Sequence, residues 1–286
     1  MKIAVIGAGT MGRGIAHVCA GHGHQVALQD VDSEILGNSM ELIRRGLEKS
    51  LERDSGEMGP VAAVLDRIRP TTGWESTAGS EMVIEAVVEK FELKREVFRK
   101  LGDLCDSGAI LASNTSSIPI TRLAAVTKRP ERVIGMHFMN PVPRMKLVEV
   151  IRGLQTDQET VDSTVALAKQ LDKVPVEVRD FPGFVTNRIL MPMINEAVTA
   201  LMEGVAEAEG IDRIMHLGMN HPMGPLRLAD LIGLDVCLHV MEVLFDGFKD
   251  PKYRPCPLLR QMVDAGWLGR KTGRGFYTYP GLGERP

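Results

Sequence analysis

The sequence predicts an α/β fold, a mostly parallel sheet domain followed by an all-α domain, and three observations carry that reading. Short runs dense in Val, Ile, Ala and Met alternate with longer helical stretches through the first half of the chain, the order expected of a parallel sheet built from βαβ units. A glycine cluster, Gly7, Gly9 and Gly12, follows the first such run directly and precedes the first helical stretch. Beyond Asp180-Phe-Pro-Gly183 the texture turns helical, with no strand-like run as far as about Leu259.

The strand-like runs are Lys2–Gly7, Gln25–Asp30, Glu81–Val87, Ala109–Ser113 and Arg132–His137. Runs that are apolar at consecutive positions suit strands covered on both faces. Helices are expected over Met11–Gly21, Ser33–Arg53 and Glu92–Leu104. Met145–Ile151 and Lys173–Val178 alternate more strictly and are expected to extend the sheet at its far edge. Phe184–Glu203 is apolar on most of its circumference, which predicts burial rather than one solvated face. Asn187, Arg188, Asn195 and Glu196 exclude a membrane helix there, and Pro192 predicts a bend, because its ring clashes with the carbonyl four residues back. The domain boundary falls near 181–184, giving a sheet domain over 1–182 and a helical domain over 183–286. A helical domain with this much apolar surface is expected to bury some of it against a copy of itself, as a homodimer through the C-terminal domain.

Composition narrows the function classes. A chain of 286 residues that is 44% hydrophobic and 25% charged has the balance of a soluble globular protein with a full core, not of a disordered or fibrous one. Thirty-four Lys and Arg stand against 37 Asp and Glu, a net charge of −3, so the basic excess of a nucleic-acid binder is missing. No stretch approaches the roughly 18 charge-free apolar residues of a membrane span. The opening apolar run is too short for a signal peptide, and Glu284-Arg285-Pro286 is no peroxisomal address; a cytoplasmic protein is expected. Cys19, Cys105, Cys237 and Cys256 are scattered without a CxxC pair and read as buried or incidental thiols in a reducing compartment.

Residues 3–14 read Ile-Ala-Val-Ile-Gly-Ala-Gly-Thr-Met-Gly-Arg-Gly, a GxGxxG motif between strand and helix. Gly7 permits the tight turn, Gly9 lets backbone amides approach a pyrophosphate, and Gly12 lets the helix pack close to the sheet. The helix N-terminus adds unpaired N–H groups and a partial positive charge. The next strand-like run ends at Asp30, near the offset of about 20 residues at which an acid grips the adenosine ribose. A carboxylate there accepts from the 2′-hydroxyl and repels a 2′-phosphate, which favours NAD over NADP and makes the sheet Rossmann-type.

Other polar clusters read more plainly. His17 lies on the first helix as a packed or surface residue, His22 and His24 suggest an exposed turn, and His216 and His221 lack the i, i+4 spacing of a zinc pair. No metal is expected. Arg45, Lys49 and Arg53 interleave with Glu41, Glu48 and Glu52 and read first as a salt-bridged solvent face, second as phosphate ligands.

Four segments, Ala112-Ser-Asn-Thr-Ser-Ser117, Gly135-Met-His-Phe-Met-Asn-Pro-Val-Pro143, Met145-Lys-Leu-Val-Glu-Val-Ile151 and Pro182-Gly-Phe-Val-Thr-Asn-Arg188, resemble the L-3-hydroxyacyl-CoA dehydrogenases, the bacterial 3-hydroxybutyryl-CoA dehydrogenases above all. His221-Pro-Met-Gly-Pro225 and Trp267-Leu-Gly-Arg-Lys-Thr-Gly-Arg-Gly-Phe-Tyr277 match the family's helical domain and closing tail. The likeness runs through essentially the whole chain in collinear order. It implies exchange of a hydride between NAD and the 3-position of a short-chain acyl-CoA. It places the catalytic pair on His137 and Glu149, the substrate-binding Ser on Ser116 and the substrate-binding Asn on Asn187. Cofactor contacts fall on Gly7, Gly9, Thr10, Met11, Gly12, Asp30, Glu89, Lys94, Ser116, Asn140 and Lys271. A CoA-contacting serine of some members falls on Ser50, and Arg53 is a candidate for a CoA phosphate, although the loop Arg53-Asp-Ser-Gly-Glu57 lacks the lysines family members often carry there.

Those residue types suit the reaction. A hydride leaves a secondary alcohol carbon only if the hydroxyl proton leaves too, and imidazole is the side chain whose ordinary pKa lies near neutrality. A carboxylate on the second ring nitrogen fixes the tautomer and stabilises the imidazolium. Ser116 is placed to orient the substrate oxygen, and Asn187 to offer an amide N–H to developing charge. Simpler readings stand beside these: Ser116 or Ser117 as a helix N-cap, Asn187 as a partner for backbone near Pro192, Lys94 as a solvated charge, Lys271 as part of an open tail. Two other functions also stand: a dehydrogenase of a free hydroxy acid such as carnitine or gulonate, and an NAD-binding protein without catalysis.

Overall fold

The structure, a computed structural model, describes residues 1–51 and 60–281. Its first compact unit runs from Met1 to Phe181 and its second begins at Pro182. The first unit contains, in order, β1 (Lys2–Ile6), α1 (Thr10–Gly21), β2 (Gln25–Gln29), α2 (Ser33–Leu51), α3 (Val61–Leu65), β3 (Ile68–Thr71) and β4 (Met82–Glu85). It continues with α4 (Phe91–Leu104), β5 (Ile110–Ser113), α5 (Ile120–Ala124), β6 (Val133–Phe138), β7 (Leu147–Arg152), α6 (Gln158–Gln170) and β8 (Val174–Arg179).

The eight strands form one sheet in the order β3-β2-β1-β4-β5-β6-β7-β8. Every neighbouring pair is parallel except β6 and β7, which are antiparallel. Strands β4, β5 and β6 are buried along their whole length, as continuous apolar runs require when helices cover both faces. The chain order reverses between β1 and β4, and the crevice outside the carboxyl ends of those strands is where open α/β sheets bind ligands. Gly7, just past β1, and Glu85, the last residue of β4, both lie there, with Ile6 and Glu85 in register.

Strand β3 was not expected from its sequence. Ile68-Arg-Pro-Thr71 carries a proline, which cannot donate to a ladder and is tolerated here because β3 is an edge strand. Helices α3 and α6 are further additions; α6 starts where the Asp157 side chain accepts from the Thr160 N–H, an N-cap bond that satisfies one orphan donor. His24 is buried at the entry to β2 rather than exposed in a turn. At the other end of the unit Asp180 accepts from the N–H groups of Ile120 and Thr121 at 3.0 and 2.7 Å. It thereby caps α5, and neither Ser116 nor Ser117 does.

The second unit is helical: α7 (Thr186–Met202), α8 (Ala208–Gly218), α9 (Pro225–Ile232), α10 (Leu234–Phe248) and α11 (Pro257–Asp264). Its core gathers Met191, Ile194, Val198, Leu234, Met241 and Leu259. Helix α7 runs through Pro192 as one element. It is not buried all round as its composition suggested: Met191, Ile194, Asn195 and Val198 face inward while Ile189 is 66% exposed. Asp212 accepts from the N–H groups of Leu226 and Arg227 and from the Tyr277 hydroxyl. Asp230 accepts from Phe276, Tyr277 and Tyr279, which ties the tail onto the helices. All four cysteines are buried and unpaired. No described helix is long and apolar enough to cross a membrane.

Candidate active site

The glycine loop joins β1 to α1, and two of the motif's three glycines have a visible packing reason. Gly7 has φ +96°, and a Cβ there would sit 2.8 Å from the Ala86 carbonyl oxygen. A Cβ on Gly12 would lie 1.7 Å from the Gly7 carbonyl oxygen, so helix and turn can meet only without one. Gly9 differs, because its Cβ would meet nothing within 4 Å. Protein packing therefore does not demand glycine at 9, and the space beside it is open. Thr10 and Met11 open α1, whose first turn contains no acid, so its N-terminal partial charge is available to an anion. Asp30 accepts from the Ala8 N–H at 2.7 Å, and the Ser39 hydroxyl donates to the Ala8 carbonyl. This cradle fits the pyrophosphate of a dinucleotide.

On the other half of the sheet, the antiparallel register of β6 and β7 sets His137 directly opposite Glu149. Directly opposed residues point to the same face, so a pair 12 residues apart in sequence meets at 2.9 Å between Nδ1 and a carboxylate oxygen. Both are buried, His137 at 8% and Glu149 at 2% exposure. Gly135 precedes His137 on that face because a Cβ would lie 2.7 Å from Ile151. The connection from β6 to β7 is braced by the buried Lys173 ammonium, which donates to the carbonyls of Val142 and Met145 at 2.7 and 3.0 Å. Asn114 ties the end of β5 to β6 by accepting from the Phe138 N–H.

Residues 2–181 match the family model for the 3-hydroxyacyl-CoA dehydrogenase NAD binding domain, and residues 183–279 match that for the C-terminal domain. The chain belongs to the 3-hydroxyacyl-CoA dehydrogenase family. It is 55% identical over 278 residues to a probable 3-hydroxybutyryl-CoA dehydrogenase of Bacillus subtilis, covering 97% of each chain. It is 52% identical over 285 residues to a 3-hydroxybutyryl-CoA dehydrogenase of Bradyrhizobium diazoefficiens, covering 100% of this chain and 97% of that one. The crystal structure of an (S)-3-hydroxybutyryl-CoA dehydrogenase from Ralstonia eutropha superposes with a TM-score of 0.93 at 49% identity, over 97% of this chain and 98% of that one.

Beside the glycine loop, the chain holds a cluster its sequence did not announce. One oxygen of Glu89 accepts from the N–H groups of Ser116 and Ser117 at 3.0 and 3.1 Å and from the hydroxyls of Thr115 and Ser117. Its other oxygen pairs with the Lys94 ammonium at 3.2 Å. Burial pulls the Glu89 carboxyl upward, but the lysine charge and the hydroxyl donors outweigh it and hold the group below its ordinary value. Lys94 is the opposite of a solvated charge. It is 1% exposed, lies on the same face of α4 as Val97, Phe98 and Leu101, and donates to Glu85 at 2.6 Å and to the Val87 carbonyl at 3.3 Å. Glu85, Ser113 and Thr115 were missed from sequence; the signal was a polar string, Ser113-Asn-Thr-Ser-Ser117, continuing a buried strand.

The remaining family positions are dispersed. Asn140 is exposed just past β6, in the cis Asn140–Pro141 peptide. Asn187 is buried on the first turn of α7, in the helical unit. Lys271, also in that unit, pairs with both carboxylate oxygens of Asp235 at 2.6 Å. The Ser50 hydroxyl donates to the Gly46 carbonyl within α2, and Arg53 lies outside the described residues. On α2 Glu41 holds both Arg45, as expected, and Arg44, which reaches on to Glu48; Glu52 lies outside the described residues. Among the described residues no group of three His, Cys, Asp or Glu is placed to hold a metal ion.

Proposed function

We propose that the protein interconverts a short-chain L-3-hydroxyacyl-CoA, 3-hydroxybutyryl-CoA, and its 3-keto partner, acetoacetyl-CoA, with NAD as cofactor. The observation that carries this reading is the buried His137–Glu149 pair at 2.9 Å, fixed by strand register, in the same sheet as the glycine cradle. NAD, when bound, supplies the acceptor for the hydride of carbon 3. With Nδ1 committed to Glu149, Nε2 of His137 is the nitrogen that takes the hydroxyl proton, and Glu149 offsets the positive charge the ring then carries. In the reverse direction the imidazolium returns that proton to the forming alcohol. Ser116 and Asn187 orient the substrate oxygen, and Ser50 and Arg53 serve the CoA end. Gly7, Gly9, Thr10, Met11 and Gly12 hold the cofactor phosphates, Asp30 its adenosine ribose, and Glu89, Lys94, Asn140 and Lys271 its remaining polar groups.

A cytoplasmic homodimer completes the reading. Its support is the apolar surface left open on the helical unit, where Ile189, Ile214, Leu217 and Met219 are each more than 60% exposed; side chains of this kind in number mark an interaction surface. Sedimentation at micromolar concentration should give twice the chain mass.

The deciding experiment is a grid of initial rates: acetoacetyl-CoA, a longer 3-ketoacyl-CoA and free 3-keto acids, each with NADH and NADPH. Preference for acetoacetyl-CoA with NADH is expected, and turnover of the free acids alone would replace the reading. In parallel, Gly9→Val should weaken NADH binding by about tenfold or more without loss of folding, since its side chain enters open space. An unchanged Kd would remove the cradle from cofactor binding.

A further inference from the structure

We propose that Glu85 is a positioning residue that sets the placement of Ser116 through a closed ring of hydrogen bonds. Glu85 is fully buried at the end of β4. One of its oxygens accepts from Lys94 at 2.6 Å and from the Val87 N–H at 2.7 Å, and the other accepts from the Ser113 hydroxyl at 2.6 Å. Lys94 passes on to Glu89 at 3.2 Å, and Glu89 accepts from the Thr115 hydroxyl. The Thr115 N–H donates back to the Ser113 hydroxyl at 3.2 Å, which closes the circuit on Glu85.

Two arms thus converge on the turn that follows β5. One runs through Lys94 and Glu89, whose carboxylate gathers the N–H groups of Ser116 and Ser117. The other runs through Ser113 to the residue immediately before Ser116. A buried lysine needs a counter-charge to stay in place, and Glu85 supplies one that remains when Glu89 is engaged by the turn. Because every member of the ring is both held and holding, loss of one bond loosens the next. The ring also carries the segment that leaves β4, whose Ala86 carbonyl lies against Gly7, so serine turn and glycine loop rest on one support.

The inference relies on the assignment of Ser116 made above, and a double-mutant cycle separates the two. Glu85→Gln keeps the volume and removes the charge; it is expected to lower kcat/KM for acetoacetyl-CoA by about tenfold in the otherwise unaltered enzyme and by less than about twofold in the Ser116→Ala background. Ser113→Ala, which cuts the second arm at little cost in volume, should couple to Ser116 in the same way and stands in if Glu85→Gln shows no cooperative thermal transition. Equal losses in both backgrounds would mean that Glu85 only stabilises the fold, and no loss in a folded variant would mean that it supports nothing catalytic; either overturns the proposal. A Ser116→Ala enzyme as active as the parent would instead overturn the role of the serine, and the ring's purpose with it.

Discussion

Two buried imidazoles in the sheet unit have met opposite surroundings. His137, 8% exposed, faces a carboxylate across a strand pair. His17, 4% exposed on α1, faces the core, and its Nε2 is buried with no hydrogen-bond partner. Burial, helped by the positive charge of Lys173, pushes His17 from its ordinary 6.5 down to about 4. The difference teaches that burial alone makes histidine a neutral filler that resists protonation. His137 instead has an acid in register behind its ring, so the two side chains share burial and differ in what stands beside the imidazole.

The comparison can be broken most decisively at His137. His137→Ala is expected to lower kcat by about 10²–10⁴ while NADH still binds, whereas His17→Leu should leave kcat within about twofold. Comparable losses in the two variants, measured by steady-state acetoacetyl-CoA reduction, would erase the distinction. Glu149→Gln keeps a hydrogen-bonding partner for the ring but removes the charge that offsets an imidazolium. A fall in kcat of roughly ten- to a hundredfold is expected, and an undiminished rate would mean that the acid only packs against the ring. The smallest effect belongs to His17 and concerns stability. Between pH 6.5 and 4 the unfolded chain takes up a proton that the folded imidazole refuses, so stability falls as the pH is lowered through that window and levels off beneath it. The loss by pH 5 should be about 1–2 kcal/mol in urea titrations, and His17→Leu should remove that share of the acid sensitivity.

What could be read from the amino acids divides along physical lines. Strands β1, β2, β4, β5 and β6 announced themselves because a strand covered on both faces reads as a nearly continuous apolar run. Strand β3 escaped notice because an edge position tolerates the proline and arginine that a central strand would not. The cradle glycines were legible since their demands are local. His137 and Glu149 came from family likeness; only the hairpin register shows why they meet. The Glu85–Lys94–Glu89 cluster was misread because charged neighbours on α4 made Lys94 look solvated, although its spacing from Val97, Phe98 and Leu101 places it on the inward face. Ion pairs between distant segments leave no periodic trace, so such networks become visible only once the chain is folded.

The four sulfhydryls offer a different use. Burial pushes Cys19 and Cys237 up to about 12 and Cys105 upward as well, and only the thiolate attacks an alkylating reagent. In the folded molecule these three thiols should therefore ignore iodoacetamide at neutral pH, and each should become labelled as its own neighbourhood opens. Cys19 and Cys105 sit in one unit and Cys237 in the other, so the chain carries an internal gauge, with reporters in both units, of which half comes apart first.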